Sequence, residues 1–241
     1  MSRPLFLVGD LPVPGPYTLD GPEGHHAADV QRLRTGEELV IGDGRGGLAS
    51  AVVAAVARGR LDLTVTAVER ADPPAVRIAV AQGIAKGDRG ELAVQAMTEV
   101  GVDEILPWAA TRSVVQWRGD RGVKARDRWA ATAREAAKQA RRAWVPPVAD
   151  QMSTKQLAER VAAGSALVLH EEAVVRLSAA PLPETGEIVL VVGPEGGIDP
   201  AELAAFEAAG ATAVRLGAEV LRTSTAGVAA ISMLNTRLGR W

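Results

Sequence analysis

The chain has no cysteine, which excludes disulfides, thiolate zinc sites, iron–sulfur clusters and cysteine nucleophiles. It has only three histidines, His25, His26 and His170. The first two are adjacent, so on regular structure they point in different directions, and no third ligand stands at a metal-like spacing. No metal site is expected. Long hydrophobic runs are also missing: apolar runs such as Ile188–Val192 stop far short of a membrane span. The opening "MSRPLFLVGDLP" lacks the basic start, apolar stretch and small-residue cleavage site of a secretory signal. A P-loop and a G-x-S-x-G nucleophile elbow are absent as well. A cytoplasmic protein without membrane or metal partners is the expectation.

What remains is 241 residues, 47% hydrophobic, with mean hydropathy +0.07, enough for one large domain or a small one joined to a medium one. The formal charge of −2 conceals an asymmetry. Arg112–Arg142 carries ten bases against three acids, a net +7, and leaves −9 for the rest. Residues 1–72 alone hold seven bases and ten acids. A local excess of this kind suits a polyanionic partner.

The first seventy residues read as short strands, Glu38–Ile41, Ala51–Ala57 and Leu61–Val68, divided by "GDGRGG" and "RGR". A small β-barrel over 1–72 is predicted, ending at Pro73-Pro74. From 73 to 241 the pattern becomes strand–helix–strand. Arg77–Ala81 is a strand. Asp88 with Glu91 forms a capping box for a helix presenting Leu92, Ala96 and Val100, which Gly101 ends. "DEILPW" is the next strand, and a long helix covers about 125–142. Ser153 and Gln156 cap a short helix. Ala166–Leu169 and Ile188–Val192 are apolar without alternation, the mark of strands buried on both faces of a parallel sheet. Asp199, Pro200 and Glu202 open another helix. The last helix presents Val228, Ile231, Leu234 and Leu238 on one side. The second part is therefore an α/β domain with helices on both faces of the sheet.

"GDGRGG" satisfies G-x-G-x-x-G on Gly42, Gly44 and Gly47, but a strand follows it where a dinucleotide fold needs a helix, so it reads as a hairpin turn. "GPEGG" at 193–197 follows a buried strand and precedes a helix. Taken alone it is a glycine-rich turn. Two further loops change the weighing: "VLHEEA" at 168–173 and "RLGAEVLRTSTAG" at 215–227, each after a strand. Loops at the carboxyl ends of parallel strands are where α/β sheets bind ligands, and glycine lets the backbone approach one closely.

These stretches, with "KGDRGELAVQAMTEVGVDEILPWAATRSVVQW" and "EAAKQARRAWVPPV", occur in the order expected of one family. Over about 80–235 the chain resembles the RsmE-type 16S ribosomal RNA uracil-N3 methyltransferases of the SPOUT superfamily, and "HHAADVQRLRTGEELVIGDG" is similar to the family's PUA-like RNA-binding barrel. The resemblance implies a SPOUT-like parallel sheet with a C-terminal trefoil knot, and a homodimer. It implies S-adenosylmethionine held by the three loops, with Leu169 and His170 from the first. From the second come Gly193, Pro194, Glu195, Gly196 and Gly197, and from the third Leu216, Gly217, Val220, Leu221 and Thr223.

The implied substrate is N3 of a specific uridine in 16S rRNA, free or in the small ribosomal subunit. Arg222 stays protonated and cannot be the base, but it can stabilise a developing uracilate; Glu195 or His170 is the candidate proton acceptor. RNA contacts are expected from Arg32, Arg34, Lys86, Arg112, Arg141 and Arg142, with Trp117, Trp129 and Trp144 available to stack on bases. Two departures stand out. Gln139-Ala140-Arg141-Arg142 replaces the family's Q-S-G-R, and Glu219 and Ser224 replace its Arg and Glu in L-G-P-R-I-L-R-T-E-T-A. A methyltransferase acting on a ribose 2′-hydroxyl or another base, and a non-catalytic RNA-binding assembly protein, are the alternatives.

Overall fold

Alternating apolar residues near the amino terminus build a five-stranded sheet, seen in a computed structural model that describes residues 3–241. Its strands are β1 (Leu5–Leu7), β2 (Gly15–Leu19), β3 (Glu38–Gly42), β4 (Gly47–Ala57) and β5 (Arg60–Arg70). They lie in the order β1-β3-β4-β5-β2, antiparallel except for β1 beside β3. Alternate residues of β4 and β5, Ala49, Ala51, Val53, Leu61, Leu63 and Val65, point inward onto Phe6, Leu39 and Ile41. Register shifts after Ser50 and after Val53 mark bulges in β4–β5, which bend the sheet. Helix α1 (Gly21–His25) and a π-helical turn (His26–Val30) lie between β2 and β3.

Internal contacts divide the chain into two units. The first takes in the residues up to Pro73 and also Ala137–Val145; the second is Pro74–Ala136 with Pro146–Trp241. Within the first unit, the "GDGRGG" turn has a defined task. Asp43 Oδ1 accepts from the N–H groups of Arg45 (2.7 Å) and Gly47 (2.9 Å), closing the β3–β4 hairpin. Burial alone would push the Asp43 carboxyl up, but those two N–H groups and the Arg70 and Arg45 charges outweigh it and hold it below its ordinary value. A Cβ on Gly46 would come within 2.5 Å of the Trp144 ring, and Val145 N donates to Gly44 O at 3.0 Å. Gly44 and Gly46 are small because Trp144 and Val145 lie on them.

The second unit is a seven-stranded, wholly parallel sheet in the order β10-β12-β9-β11-β6-β7-β8. These are β6 (Val76–Gly83), β7 (Glu104–Ala109), β8 (Met152–Ser153), β9 (Ser165–Leu169), β10 (Val175–Arg176), β11 (Gly186–Val192) and β12 (Thr212–Arg215). Ile78, Val80, Leu190 and Val192 face α2 (Arg89–Glu99), Trp129 of α3 (Gly119–Gln139) and α6 (Thr223–Arg237). Ala79, Ala81, Val189 and Val191 face Leu157 of α4 (Thr154–Ala162) and Phe206 of α5 (Pro200–Ala208). Both faces are dry, as the unalternating apolar runs require. β12 lies beyond β9, yet α6, which follows it, packs on β11 and β6. The chain therefore doubles back past β9, the return that a trefoil knot requires.

Several expectations are corrected. Asp88 already has helical angles (φ −83°, ψ −1°), so its side chain makes no cap bond, and the Asp88–Glu91 capping box does not form. Leu92 is exposed; α2 instead buries Gly90, Ala93, Val94 and Met97, because a Cβ on Gly90 would press into the Trp129 ring at 2.6 Å and that contact fixes the helix rotation. α3 starts at Gly119 and ends at Gln139, with Arg141 in the left-handed region (φ 54°) where the resemblance has glycine. Trp129 is core and Trp117 packs edge-on against it at 4.9 Å, so Trp129 stacks on no base. Ile231 and Leu234 of the last helix are fully buried within this chain, whereas Val228 and Leu238 on the same side stay half-buried.

Candidate active site

The carboxyl ends of β9, β11 and β12 are neighbours, and the loops that follow them enclose a cavity of about 770 Å³ within the second unit. That size falls in the range of roughly 300–1,000 Å³ usual for small-molecule sites. All twelve cofactor candidates line it: Leu169 and His170; Gly193 to Gly197; Leu216, Gly217, Val220, Leu221 and Thr223. Arg222 lines it too.

The "GPEGG" loop is held from three sides. A Cβ on Gly83 would lie 2.6 Å from Pro194 N, so the end of β6 must be glycine for the loop to sit there. Gly196 lies against Arg112, whose Cβ and carbonyl would be 3.0 Å from an added methyl. Gly197 has φ 73° and closes the turn by donating its N–H to Pro194 O at 2.9 Å. Glu195 is the third tie. Its Oε1 accepts from Lys86 N at 3.0 Å and Arg89 Nη1 at 3.1 Å. Burial alone would raise the Glu195 carboxyl, but its own N–H, that of Lys86 and the Arg89 guanidinium outweigh this and hold it below the ordinary carboxylate range. An anchored carboxylate of lowered pKa is a poor proton acceptor.

Thr223, the first residue of α6, forms a directional chain. Buried Gln82 donates from Nε2 to Thr223 Oγ1 at 2.8 Å, and Thr223 Oγ1 donates to Gly193 O at 2.7 Å. This ties α6 to the glycine loop and fixes the residue before it, Arg222, in an extended conformation (φ −69°, ψ 152°). Arg222 is exposed at the cavity, and its side chain has no hydrogen bond or ion pair among the described residues. His170 is half-buried in the lining, its Nδ1 accepting from Glu172 N at 3.3 Å. His25 pairs with Asp29 at 2.7 Å, and His26 meets Gln31 at 3.0 Å.

The RNA-contact candidates are spread over both units. Arg32 (φ 56°) and Arg34 are exposed in the first, and Lys86 is exposed in the second. Arg112 lines the cavity and pairs with Asp199 at 3.4 Å. Much of the +7 segment is engaged inside its own unit: Arg126 pairs with Asp127 and Asp150, Arg128 with Glu91, and Lys138 with Glu23. Arg134, Arg141 and Arg142 also have partners. Sequence reasoning missed Gln82, Arg89, Arg215 and the carboxylates Glu171 and Glu172 at this site; only their positions at strand ends and loops signalled them.

The RNA methyltransferase domain family matches residues 72–235, and the RNA methyltransferase PUA domain family matches residues 19–66. The chain belongs to the ribosomal RNA small subunit methyltransferase E family. The Mycobacterium bovis protein of that name is 49% identical over 249 residues, covering 100% of this chain and 94% of its own. The Bacillus subtilis one is 31% identical, covering 91% and 89%. Among solved structures, the methyltransferase E of Neisseria gonorrhoeae bound to S-adenosyl methionine superposes with TM-score 0.88 at 28% identity, covering 98% of both chains. A Legionella pneumophila methyltransferase in complex with the same cofactor gives 0.86 at 26%, again with 98% of each covered.

Proposed function

We propose that the chain methylates N3 of a uridine in the 16S rRNA of the small ribosomal subunit, using S-adenosylmethionine held by the three loops. The single observation that carries this is the cavity at the ends of β9, β11 and β12 in a chain of the methyltransferase E family. The lining fits that ligand. Leu169, Leu216 and Leu221 give aliphatic walls for a flat base, and the glycine loop offers backbone donors and acceptors. Glu171, Glu172 and Glu219 line the same cavity, which favours a ligand that carries positive charge. Bound there, the cofactor supplies a methyl group on a sulfonium, which needs no further activation.

The difficulty is the nucleophile, since uracil N3 carries a proton at neutral pH. The uncommitted Arg222 guanidinium, donating to a uracil oxygen, favours the anion left when that proton departs. Glu195 serves as the anchor of the glycine loop. Of the two candidate acceptors, His170 is the one left, through Nδ1, whose present hydrogen bond is long. A cytoplasmic site of action belongs to the proposal, supported by the rRNA substrate. A homodimer belongs to the proposal, supported by the resemblance and by the exposed Val220 and Leu221 at the cavity's lip.

The test is transfer of labelled methyl to unmethylated small subunits, with mass spectrometry of the digested nucleosides. A 3-methyluridine product is expected. A 2′-O-methyl nucleoside would replace the proposal with ribose methylation, and absence of transfer would leave an RNA-binding assembly protein.

A further inference from the structure

Several arginines on the strands of the second unit and on the helices beside them have partners. Arg77 pairs with Glu104 (3.6 Å) and Glu187 (3.9 Å), Arg160 with the same two carboxylates, and Arg240 with Asp103 (2.9 Å). Arg237 donates to the carbonyls of Leu177 and Ala180. The far edge of the sheet differs. The parallel register of β10 and β12 sets Arg176 directly beside Arg215, side by side on adjacent strands about 4.8 Å apart. Among the described residues neither guanidinium has an ion pair or a side-chain hydrogen bond. Arg176 is exposed, while Arg215 is half-buried and lines the cavity. The acidic side chains nearest in the lining leave them unpaired: Glu219 Oε2 is turned back over Gly217, and Glu171 and Glu172 make no ion pair.

Two like charges held abreast repel each other and cost stability unless an anion lies between or above them. Their position says which anion. Arg215 lines the cavity, Arg176 beside it lies outside the lining, and Arg222 lines the same cavity. An extended polyanion with one nucleotide in the cavity crosses the cavity's rim, and this edge of the sheet borders the cavity through Arg215. Guanidinium groups suit phosphate because their planar fork donates two parallel hydrogen bonds.

We propose that Arg176 and Arg215 form a clamp for an RNA phosphodiester flanking the target nucleotide. Contacts of this kind set the register of the strand and carry no sequence information. The inference rests on the rRNA methyltransferase reading, and it moves the phosphate contacts next to the cavity from the engaged +7 segment to this edge.

The test is methyl-transfer kinetics on unmethylated small subunits over a range of salt concentrations, for wild type, R176A, R176A/R215A and R176K/R215K. The double alanine variant should lose roughly tenfold in kcat/KM, through KM, as expected for lost charge-assisted contacts. Its log–log salt dependence should be shallower by about 0.7, the value for one phosphate contact on single-stranded RNA. The lysine variant should keep most of the slope. R176A should bind S-adenosylmethionine as wild type does in calorimetry, since Arg176 lies outside the cavity lining. Unchanged KM and slope in the double alanine variant would overturn the clamp. So would weakened cofactor binding in R176A, or an altered sedimentation coefficient, either of which assigns the pair to another task. Wild type that transfers no methyl would instead overturn the rRNA reading, and the clamp with it.

Discussion

Arg222 is the side chain on which the chemistry turns, because it combines a fixed backbone with an uncommitted guanidinium. Arg222→Ala should lower kcat by about 10²–10³, the usual loss when one preorganised donor to a developing anion is removed. S-adenosylmethionine affinity should stay near wild type; single-turnover kinetics beside calorimetry separates the two. Glu195 gives the opposite expectation, as a structural carboxylate. Its folded-state pKa is depressed, so its stabilisation is present above the unfolded carboxylate range and is lost as pH falls through the folded value. Glu195→Gln should therefore lower the thermal midpoint at pH 7, and the difference from wild type should vanish in strong acid. A catalytic base would instead show its titration in the pH–rate profile near neutrality, with no such stability signature.

At the scale of elements, the decisive contact is the chain Gln82–Thr223–Gly193, which couples β6, α6 and the glycine loop. Thr223→Val keeps the shape but leaves a buried N–H and a buried carbonyl without partners, each costing about 1–3 kcal/mol. The expected outcome is a lower thermal midpoint with both cofactor affinity and kcat reduced. Thr223→Ser, which restores both hydrogen bonds, should recover most of each. Equal behaviour of the two variants would show that the hydroxyl does not matter.

The elements also show what the sequence could convey. The capping boxes at Ser153–Gln156 and Asp199–Glu202 form as read, because both N-cap residues are extended (ψ 164° and 141°). The same pattern at Asp88 fails because Asp88 already has helical angles, which no sequence rule reveals. "GPEGG" and "LRT" were legible as a site from their strand–loop–helix setting. Gln82 was not, because a buried polar residue in an apolar strand looks like any other until its partner, 141 residues away, is in place.

For the whole molecule, net charge and its local excess were legible, but their use was not. The +7 of Arg112–Arg142 suggested an RNA face, whereas ion pairs formed across the fold commit Arg112, Arg126, Arg128 and Lys138. Pairing depends on residues far away in sequence, which composition cannot show. The same holds for Ala137–Val145, which belongs with the amino-terminal unit although it begins with the last three residues of α3. The proposed homodimer is checked by sedimentation at micromolar concentration, where a dimer is expected and a 25.1 kDa monomer would contradict it.

The central claim is that the three-loop cavity is the S-adenosylmethionine site, and Gly83 tests it most directly. A methyl added there lies 2.6 Å from Pro194 N and must push the glycine loop out of place. Titration calorimetry should show one S-adenosylmethionine per wild-type chain, and binding at least about tenfold weaker in Gly83→Ala, a loss of about 1.4 kcal/mol. No binding by the wild type, or equal binding by a folded Gly83→Ala protein, would contradict the claim.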